Sequence, residues 1–162
     1  MMDPFSIMIP VEQDAVLSEN GRQHRMVKAA ITKDLRGRGK MFGTNVRNRR
    51  GRRGQLERAV VIVWVARPQG TLGDAANFTP TVKALFDGMV ADAKFLPNDN
   101  DRYVRGPFIL PADHPASAPG RSEFTFEFYP ADYFPTQTRI RAALADFLPR
   151  LTGGEVMTHG EV

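Results

Sequence analysis

The sequence predicts an α+β fold, in which a small mixed β-sheet packs with helices inside one domain. Its 162 residues are enough for a single domain with a real hydrophobic core. Four short segments read as strands, and three longer segments have the spacing of amphipathic helices. The strands do not alternate strictly with the helices, which favours α+β over a doubly wound parallel sheet.

The first third of the chain predicts a strand, a helix and a basic loop. FSIMIPV at 5–11 is typical of a short strand. Residues 21–36 have apolar positions at helical spacing and a basic outer face, so they predict a helix. Residues 37–55 are rich in Gly, Arg and Asn and keep no periodicity, which predicts a mobile basic loop.

The middle of the chain predicts a central strand followed by a helix. Residues 56–68 are rich in β-branched residues, and their continuous apolar run indicates a strand covered on both faces, with Trp64 in the core. Thr79 can cap a helix whose first position is Pro80. An apolar stripe then continues this helix over 80–93.

The last third predicts two strands, a helix and a tail. A polar turn at 94–101 leads to strands at 102–110 and 122–130, joined by a long hairpin loop. Phe124, Phe126 and Phe128 alternate with polar residues, so they predict one buried face. Residues 136–151 predict an amphipathic helix, which ends the single domain at about residue 150. Residues 151–162 predict a disordered tail.

Composition excludes several classes of protein. There is no cysteine, so neither a disulfide framework nor a thiolate metal site is available, and a reducing cytoplasm is the expected location. No apolar run approaches membrane-spanning length, and the N-terminal segment lacks the features of a secretion signal. The three histidines are too scattered for a convincing zinc site.

The charge is distributed unevenly along the chain. Residues 21–58 hold thirteen Lys and Arg against two acids, a net of +11, whereas the remainder has nine basic and sixteen acidic residues, a net of −7. This pattern predicts a surface for nucleic acid, bound through phosphates and therefore dependent on salt. The alternative is a solvated charged face. The expected DNA contacts are Arg22, Arg25, Lys28, Lys33, Arg36, Arg47, Arg49, Arg50, Arg52 and Arg53.

GDAANFTPTVKALFDG, residues 73–88, carries the candidate chemistry. Lys83 and Asp87 are four residues apart, so they share one face of the predicted helix; alone, such a pair is usually a surface ion pair. Asp74 precedes the helix and alone is most often a residue that binds its own loop backbone. Asp99 and Asp101 follow the helix and alone are turn residues.

Together these residues can form a magnesium site. A helix of about 14 residues is roughly 21 Å long, and the six steps from Ala93 to Asp99 span at most about 20 Å. The chain can therefore return to the start of the helix. Two or three carboxylates suffice for Mg²⁺, which can activate water against a phosphodiester, and a nearby Lys can stabilise the developing charge.

This part of the chain resembles the RusA-like Holliday junction resolvases, particularly those of phages and actinobacteria. The resemblance is carried by LSENGRQH, by DAANFTPTVKALFDGMV after a strand, and by LPNDNDRYV, and it covers about residues 5–130. It implies a homodimeric nuclease of α+β fold that cuts four-way DNA junctions and uses Mg²⁺, with Mn²⁺ as the alternative ion.

The resemblance also implies roles for individual residues. Asp74, Lys83, Asp87 and Asp99 are implied to be catalytic. The implied metal ligands are Asp74, Asp99 and Asp101, with either Asp99 or Asp101 as the main one. There are two departures from the family's pattern: Ala76 occupies the position of its second aspartate, and Asn98 and Asn100 interrupt the acidic cluster.

These departures from the family's pattern leave two functions open. The first is cleavage of branched DNA. The second is a DNA-binding protein that has kept the scaffold and lost the chemistry, in which case junctions are bound and never cut. A basic interaction protein without a DNA role is a third, weaker reading, and binding that ignores salt concentration would favour it.

Overall fold

The part of the chain that the structure describes is an α+β fold with a four-stranded mixed sheet and two helices, so the predicted fold class is confirmed. The computed structural model describes residues 4–51, 55–68 and 74–130. The strands and helices are, in chain order, β1 (Phe5–Glu12), α1 (Arg25–Arg50), β2 (Ala59–Ala66), α2 (Thr79–Asp87), β3 (Val104–Pro111) and β4 (Arg121–Pro130).

The strands lie in the order β1-β4-β2-β3. Strand β4 is antiparallel to both β1 and β2, whereas β2 and β3 are parallel and are connected through α2. The predicted hairpin between 102–110 and 122–130 is therefore wrong, because β2 lies between those two strands. The backbone groups of β4 are paired on both sides, and the intervening loop crosses the end of β2 instead of making a tight turn.

The two faces of the sheet differ in burial. The helix-facing side holds the core, including Val63 and the three predicted residues Phe124, Phe126 and Phe128, all fully buried. The opposite side is half-exposed: Phe108 of β3 is 50% exposed there. Because β2 alternates between buried and half-buried positions, its predicted cover on both faces is wrong. Trp64 is half-buried on the open face and is not a core residue.

Helix α1 is much longer than the sequence predicts. It begins at Arg25, where the side chain of His24 accepts a hydrogen bond from the backbone of Met26 at 3.3 Å, and it continues to Arg50. The predicted mobile loop at 37–55 is thus wrong for residues 37–50. With 26 residues the helix is about 39 Å long, and its first ten residues bury no side chain.

Glycines explain why this segment is a helix despite its composition. A Cβ at Gly39 would lie 2.0 Å from the carbonyl oxygen of Leu85, and one at Gly88 would lie 2.1 Å from the carbonyl oxygen of Arg36. The backbones of α1 and α2 therefore touch at these residues. Glycine lowers helix propensity, but the close packing it permits outweighs that cost here.

Helix α2 is confirmed, but Thr79 is its first residue and donates its hydroxyl to the carbonyl of Ala76 at 2.6 Å, so the predicted Thr79 cap is wrong. Pro80 occupies the first turn, where its missing N–H group is not needed. After Asp87 the chain continues as a π-helical turn, Gly88–Asp92, so the helical region ends close to the predicted residue 93. Such turns are rare and are frequent at functional sites. The predicted helix at 136–151 and tail at 151–162 lie outside the described residues.

Candidate active site and basic surface

Lys83 and Asp87 form the predicted pair on the outward face of α2. The Nζ atom of Lys83 lies 3.4 Å from Oδ1 of Asp87. The lysine side chain is 67% exposed and the aspartate side chain 25% exposed. The pair is therefore open to a ligand from solvent, and the contact orients the lysine without withdrawing it from the surface.

The chain after the π-helical turn does return to α2, as the sequence permits. Phe95 and Leu96 are fully buried and fix the segment. The backbone N–H of Phe95 donates to Met89 at 3.1 Å, while its carbonyl accepts from Leu56 at 3.0 Å. Three residues later, the side chain of Asn98 accepts a hydrogen bond from the backbone of Asp99 at 2.7 Å. These contacts place Asp99 beside the outward face of α2.

Asp99, Lys83 and Asp87 line one open pocket of about 250 Å³, here called the lysine pocket. One wall comes from α2 and combines apolar with polar residues, whereas the other comes from β3 and is apolar. The apolar lining residues are Val82, Phe86, Pro107 and Ile109, and the remaining described ones are Thr79 and Gly106. The structure thus combines one cation and two carboxylates with an apolar interior.

A second pocket of about 270 Å³ adjoins the first, here called the arginine pocket. Arg36 of α1 and Lys94 supply its positive charge, and Asn98 lies at its edge. Asp87 and Asp99 line both pockets. The two carboxylates therefore stand between Lys83 on one side and the cations of the arginine pocket on the other.

Arg36 is held in place by Asp92 of the π-helical turn. Its Nε donates to Oδ2 at 2.8 Å and its Nη2 to Oδ1 at 2.9 Å, a two-pronged ion pair. These hydrogen bonds lower the pKa of Asp92 and raise the pKa of Arg36. The charge of Asp87 also raises the pKa of Arg36, to a smaller extent. The wide turn therefore ties the basic helix to the acidic site.

Asp74 and Asp101 are not among the described residues that line either pocket. The side chain of Asp74 accepts a hydrogen bond from the backbone of Ala76 at 2.9 Å and so caps the 3₁₀ turn Ala75–Phe78. Asp101 is exposed in the turn before β3, where its carbonyl accepts from Arg105 at 2.5 Å. Of the predicted site, the structure brings Lys83, Asp87 and Asp99 together in one pocket.

The side chains that could bind a metal ion can be compared with the ligands that Mg²⁺ requires. Within residues 4–51, 55–68 and 74–130, no group of three or more His, Cys, Asp or Glu side chains is close enough to hold a metal ion. Mg²⁺ commonly takes only one or two carboxylates and completes its shell with water and substrate phosphate. Asp87 and Asp99 fit an ion shared with a phosphate, and they do not fit an all-protein cage.

No protein-family model matches the chain, and no curated protein matches it. In the described part of the chain, no helix combines the length and apolar character needed to cross a membrane.

Of the predicted DNA contacts, those near the start of α1 are the most accessible. Arg22, Arg25, Lys28 and Lys33 are exposed, as is Arg49 near the end of the helix.

Three other predicted contacts have structural partners. Arg36 is paired with Asp92, as described above. Arg47 donates to the carbonyl of Ala93 at 2.5 Å, and Arg50 lies over the ring of Phe5 at 4.1 Å from its centroid. Nε of Arg50 is buried and has no hydrogen-bond partner in the part of the chain that the structure describes. Arg52 and Arg53 lie outside the described residues.

Two cations beside the site were missed from the sequence. Lys40 lies on α1, and at about 100° per residue it falls on the same side as Lys33, Arg36 and Arg47; these four form the basic ridge. Lys94, exposed with a φ of 56°, lines the arginine pocket. Continuing the helical spacing beyond residue 36 would have revealed Lys40. Lys94 carries no sequence signal beyond its charge.

Proposed function

We propose that the protein is a Mg²⁺-dependent, structure-selective endonuclease that resolves four-way DNA junctions, in keeping with its resemblance to RusA-like resolvases. The observation that carries the proposal is the meeting of Lys83, Asp87 and Asp99 at one pocket beside the basic ridge. A nuclease needs carboxylates for chemistry and a separate cationic surface for the backbone. This chain offers both within one packed unit of α1 and α2.

Each side chain has a role in this proposal. The ammonium group of Lys83 stabilises the negative charge that develops on the scissile phosphate, and Asp87 orients that lysine. Asp87 and Asp99 hold Mg²⁺, which when bound polarises the phosphodiester and activates water. Asp74 and Asp101 are proposed as further ligands from the resemblance alone. Lys33 and Lys40 of the basic ridge hold the DNA backbone.

A second copy of the chain is part of the proposal. Resolution of a four-way junction requires cuts in two strands, and one pocket provides one cut. A homodimer places two pockets on one junction. We therefore expect a dimer in sedimentation experiments, and we expect nicks from the two strands to be paired.

The test is cleavage of a synthetic four-way junction during a Mg²⁺ titration. Lys83→Ala and Asp99→Asn are expected to reduce cutting by at least about 100-fold, since each removes a charge that acts in the transition state. Asp113→Asn, an equal change at an exposed residue outside both pockets, serves as the control. Full cleavage by the Lys83 and Asp99 variants would show that the pocket takes no part in the reaction.

Two observations favour a second candidate, a DNA-binding protein that does not cut. No three-acid group occurs in the described residues, and Ala76 occupies the position of a family aspartate. Fewer carboxylates lower the affinity for the ion. This candidate predicts junction binding without products at every Mg²⁺ and Mn²⁺ concentration, whereas the nuclease predicts products that appear as the ion is added.

A further inference from the structure

The apolar interior of the lysine pocket has no role in the chemistry proposed above. Val82 and Phe86 form one side, and Phe86 is only 4% exposed and stacks parallel to Phe126 in the core. Pro107 and Ile109 form the other side, from β3. Because each wall belongs to a packed element, the pocket is preformed.

The polar groups of the same pocket lie on a different set of residues. Thr79, at the start of α2, is exposed, and its hydroxyl group donates to the carbonyl of Ala76 at 2.6 Å. Lys83, Asp87 and Asp99 add one cation and two carboxylates. An apolar interior with a few polar groups is typical of a site for a small molecule or a ring system.

The size and the charges of the lysine pocket limit the kinds of ligand that can occupy it. Pockets that enclose drug-sized ligands measure about 300–1,000 Å³, so about 250 Å³ suits a single ring system. A phosphate fits at the polar groups of the pocket, where Lys83 can contact it, and not against the apolar lining residues, which offer it no donors. A nucleobase has apolar faces and a polar edge, so it matches both the interior and the polar residues.

We propose that the lysine pocket receives one unstacked nucleobase of the DNA, next to the phosphate that is cut. The inference rests on the proposed function. The base lies between the α2 wall and the β3 wall, while its own backbone passes Asp87 and Asp99, which border the arginine pocket. Withdrawing a base costs on the order of a few kcal/mol of stacking and pairing, and this cost is lowest where the base is least well stacked and paired.

The first experiment places 2-aminopurine, one position at a time, on each side of the branch point of a four-way junction. Binding is measured with wild-type protein in Ca²⁺, so that cutting does not interfere. We expect fluorescence to rise several-fold at one position, because the base leaves the stack that quenches it. An abasic residue at that position should weaken binding about five- to tenfold.

The second experiment fills the pocket. Ile109→Trp should weaken junction binding by about the same factor, and on an abasic junction it should cost nothing further, since both changes remove one interaction. The matched control is Leu110→Trp, the next residue of β3, which is exposed on the other face of the sheet. It should bind within about twofold of wild type. Circular dichroism checks that both variants fold.

The outcomes are separable. The inference is overturned if wild type binds the junction but no position brightens, or if the abasic junction binds as tightly as the intact one. It is also overturned if a folded Ile109→Trp binds like Leu110→Trp. If Ile109→Trp does not fold, the wild-type measurements on the abasic junction still decide. Failure of the proposed function looks different, because wild type would then bind the junction without cutting it in Mg²⁺, or would show no salt-dependent DNA binding at all.

Discussion

Gly39 of α1 lies directly against the carbonyl oxygen of Leu85 in α2, with room for no side chain between them. Gly88 makes the reciprocal contact with Arg36, and Gly43 packs against Met89. These contacts hold the basic ridge against the helix that carries Lys83 and Asp87. The relation between the two surfaces thus depends on glycines, of which the sequence presents Gly39 and Gly43 as loop residues.

The first prediction concerns this contact. Gly39→Ala should lower the free energy of unfolding by about 1–3 kcal/mol, or more, because the new Cβ must push the two helices apart. Gly37→Ala is the control: it lies on the same helix with nothing within 4 Å, so it should stabilise the protein by about 0.5–1 kcal/mol. Urea unfolding with an unchanged slope measures both. Equal stability of the two variants would contradict the packing.

The elements with strong periodicity could be predicted from the sequence. The alternation of Phe124, Phe126 and Phe128 and the apolar stripe of α2 are both confirmed. Helix α1 was half missed, because Gly37, Gly39 and Gly43 weaken its local signal and tertiary contact restores the helix. The strand order could not be read from the sequence either, because adjacency along the chain does not say which strands pair.

Part of the candidate site could also be predicted from the sequence, and part of it could not. The Lys83–Asp87 contact follows from their spacing on one helix, so the sequence predicts it. That Asp99 reaches the same pocket depends on the π-helical turn and on the burial of Phe95, neither of which has a local signature. The capping role of Asp74 has a signature, since an aspartate before a turn commonly binds backbone N–H groups.

The second prediction separates the two roles of Asp74. Asp74→Asn should keep the unfolding midpoint, because asparagine caps a helical turn as well as aspartate does. If Asp74 is a ligand, the same change should reduce junction cleavage at least about tenfold. Asp74→Ala should lose both the cap and the cleavage activity, and the lost cap should cost about 0.5–2 kcal/mol of stability. Undiminished cleavage by the asparagine variant would show that Asp74 caps the turn and is not a metal ligand.

The third prediction concerns Lys40, which the structure adds to the basic surface. If Lys40 contacts a phosphate, Lys40→Ala should weaken binding to all DNA sequences alike and reduce the slope of log K against log salt by about 0.9. Arg121→Ala is the control, since it removes an exposed cation near Glu12, on β4 rather than α1. Electrophoretic titrations at several salt concentrations give the slopes. A slope that Lys40→Ala leaves unchanged would exclude the contact.

The fourth prediction is a pH dependence that arises where α1 meets β1. Nη1 of Arg38 donates to Oε2 of Glu12 at 2.6 Å, and its Nε lies 2.9 Å from Oδ2 of Asp34. The hydrogen bond from Arg38 is the largest cause of the lowered pKa of Glu12. A carboxyl group whose pKa is lower in the folded state stabilises the fold above its ordinary pKa, which is 4.5 here. That contribution is lost as the pH falls through the lowered value.

The test of this pH dependence is Arg38→Gln. Because both side chains are partly exposed, we expect a cost of about 0.5–1 kcal/mol at about pH 7. The cost should be smaller at about pH 2, because the contribution of Glu12 is lost as the pH falls through its lowered pKa. Arg121→Gln, whose Nε lies 3.6 Å from the same carboxylate, should cost less because the contact is longer. Urea unfolding at both pH values measures the differences. A cost for Arg38→Gln that stays constant with pH would show that Arg38 acts by packing its aliphatic stem and not through the charge of Glu12.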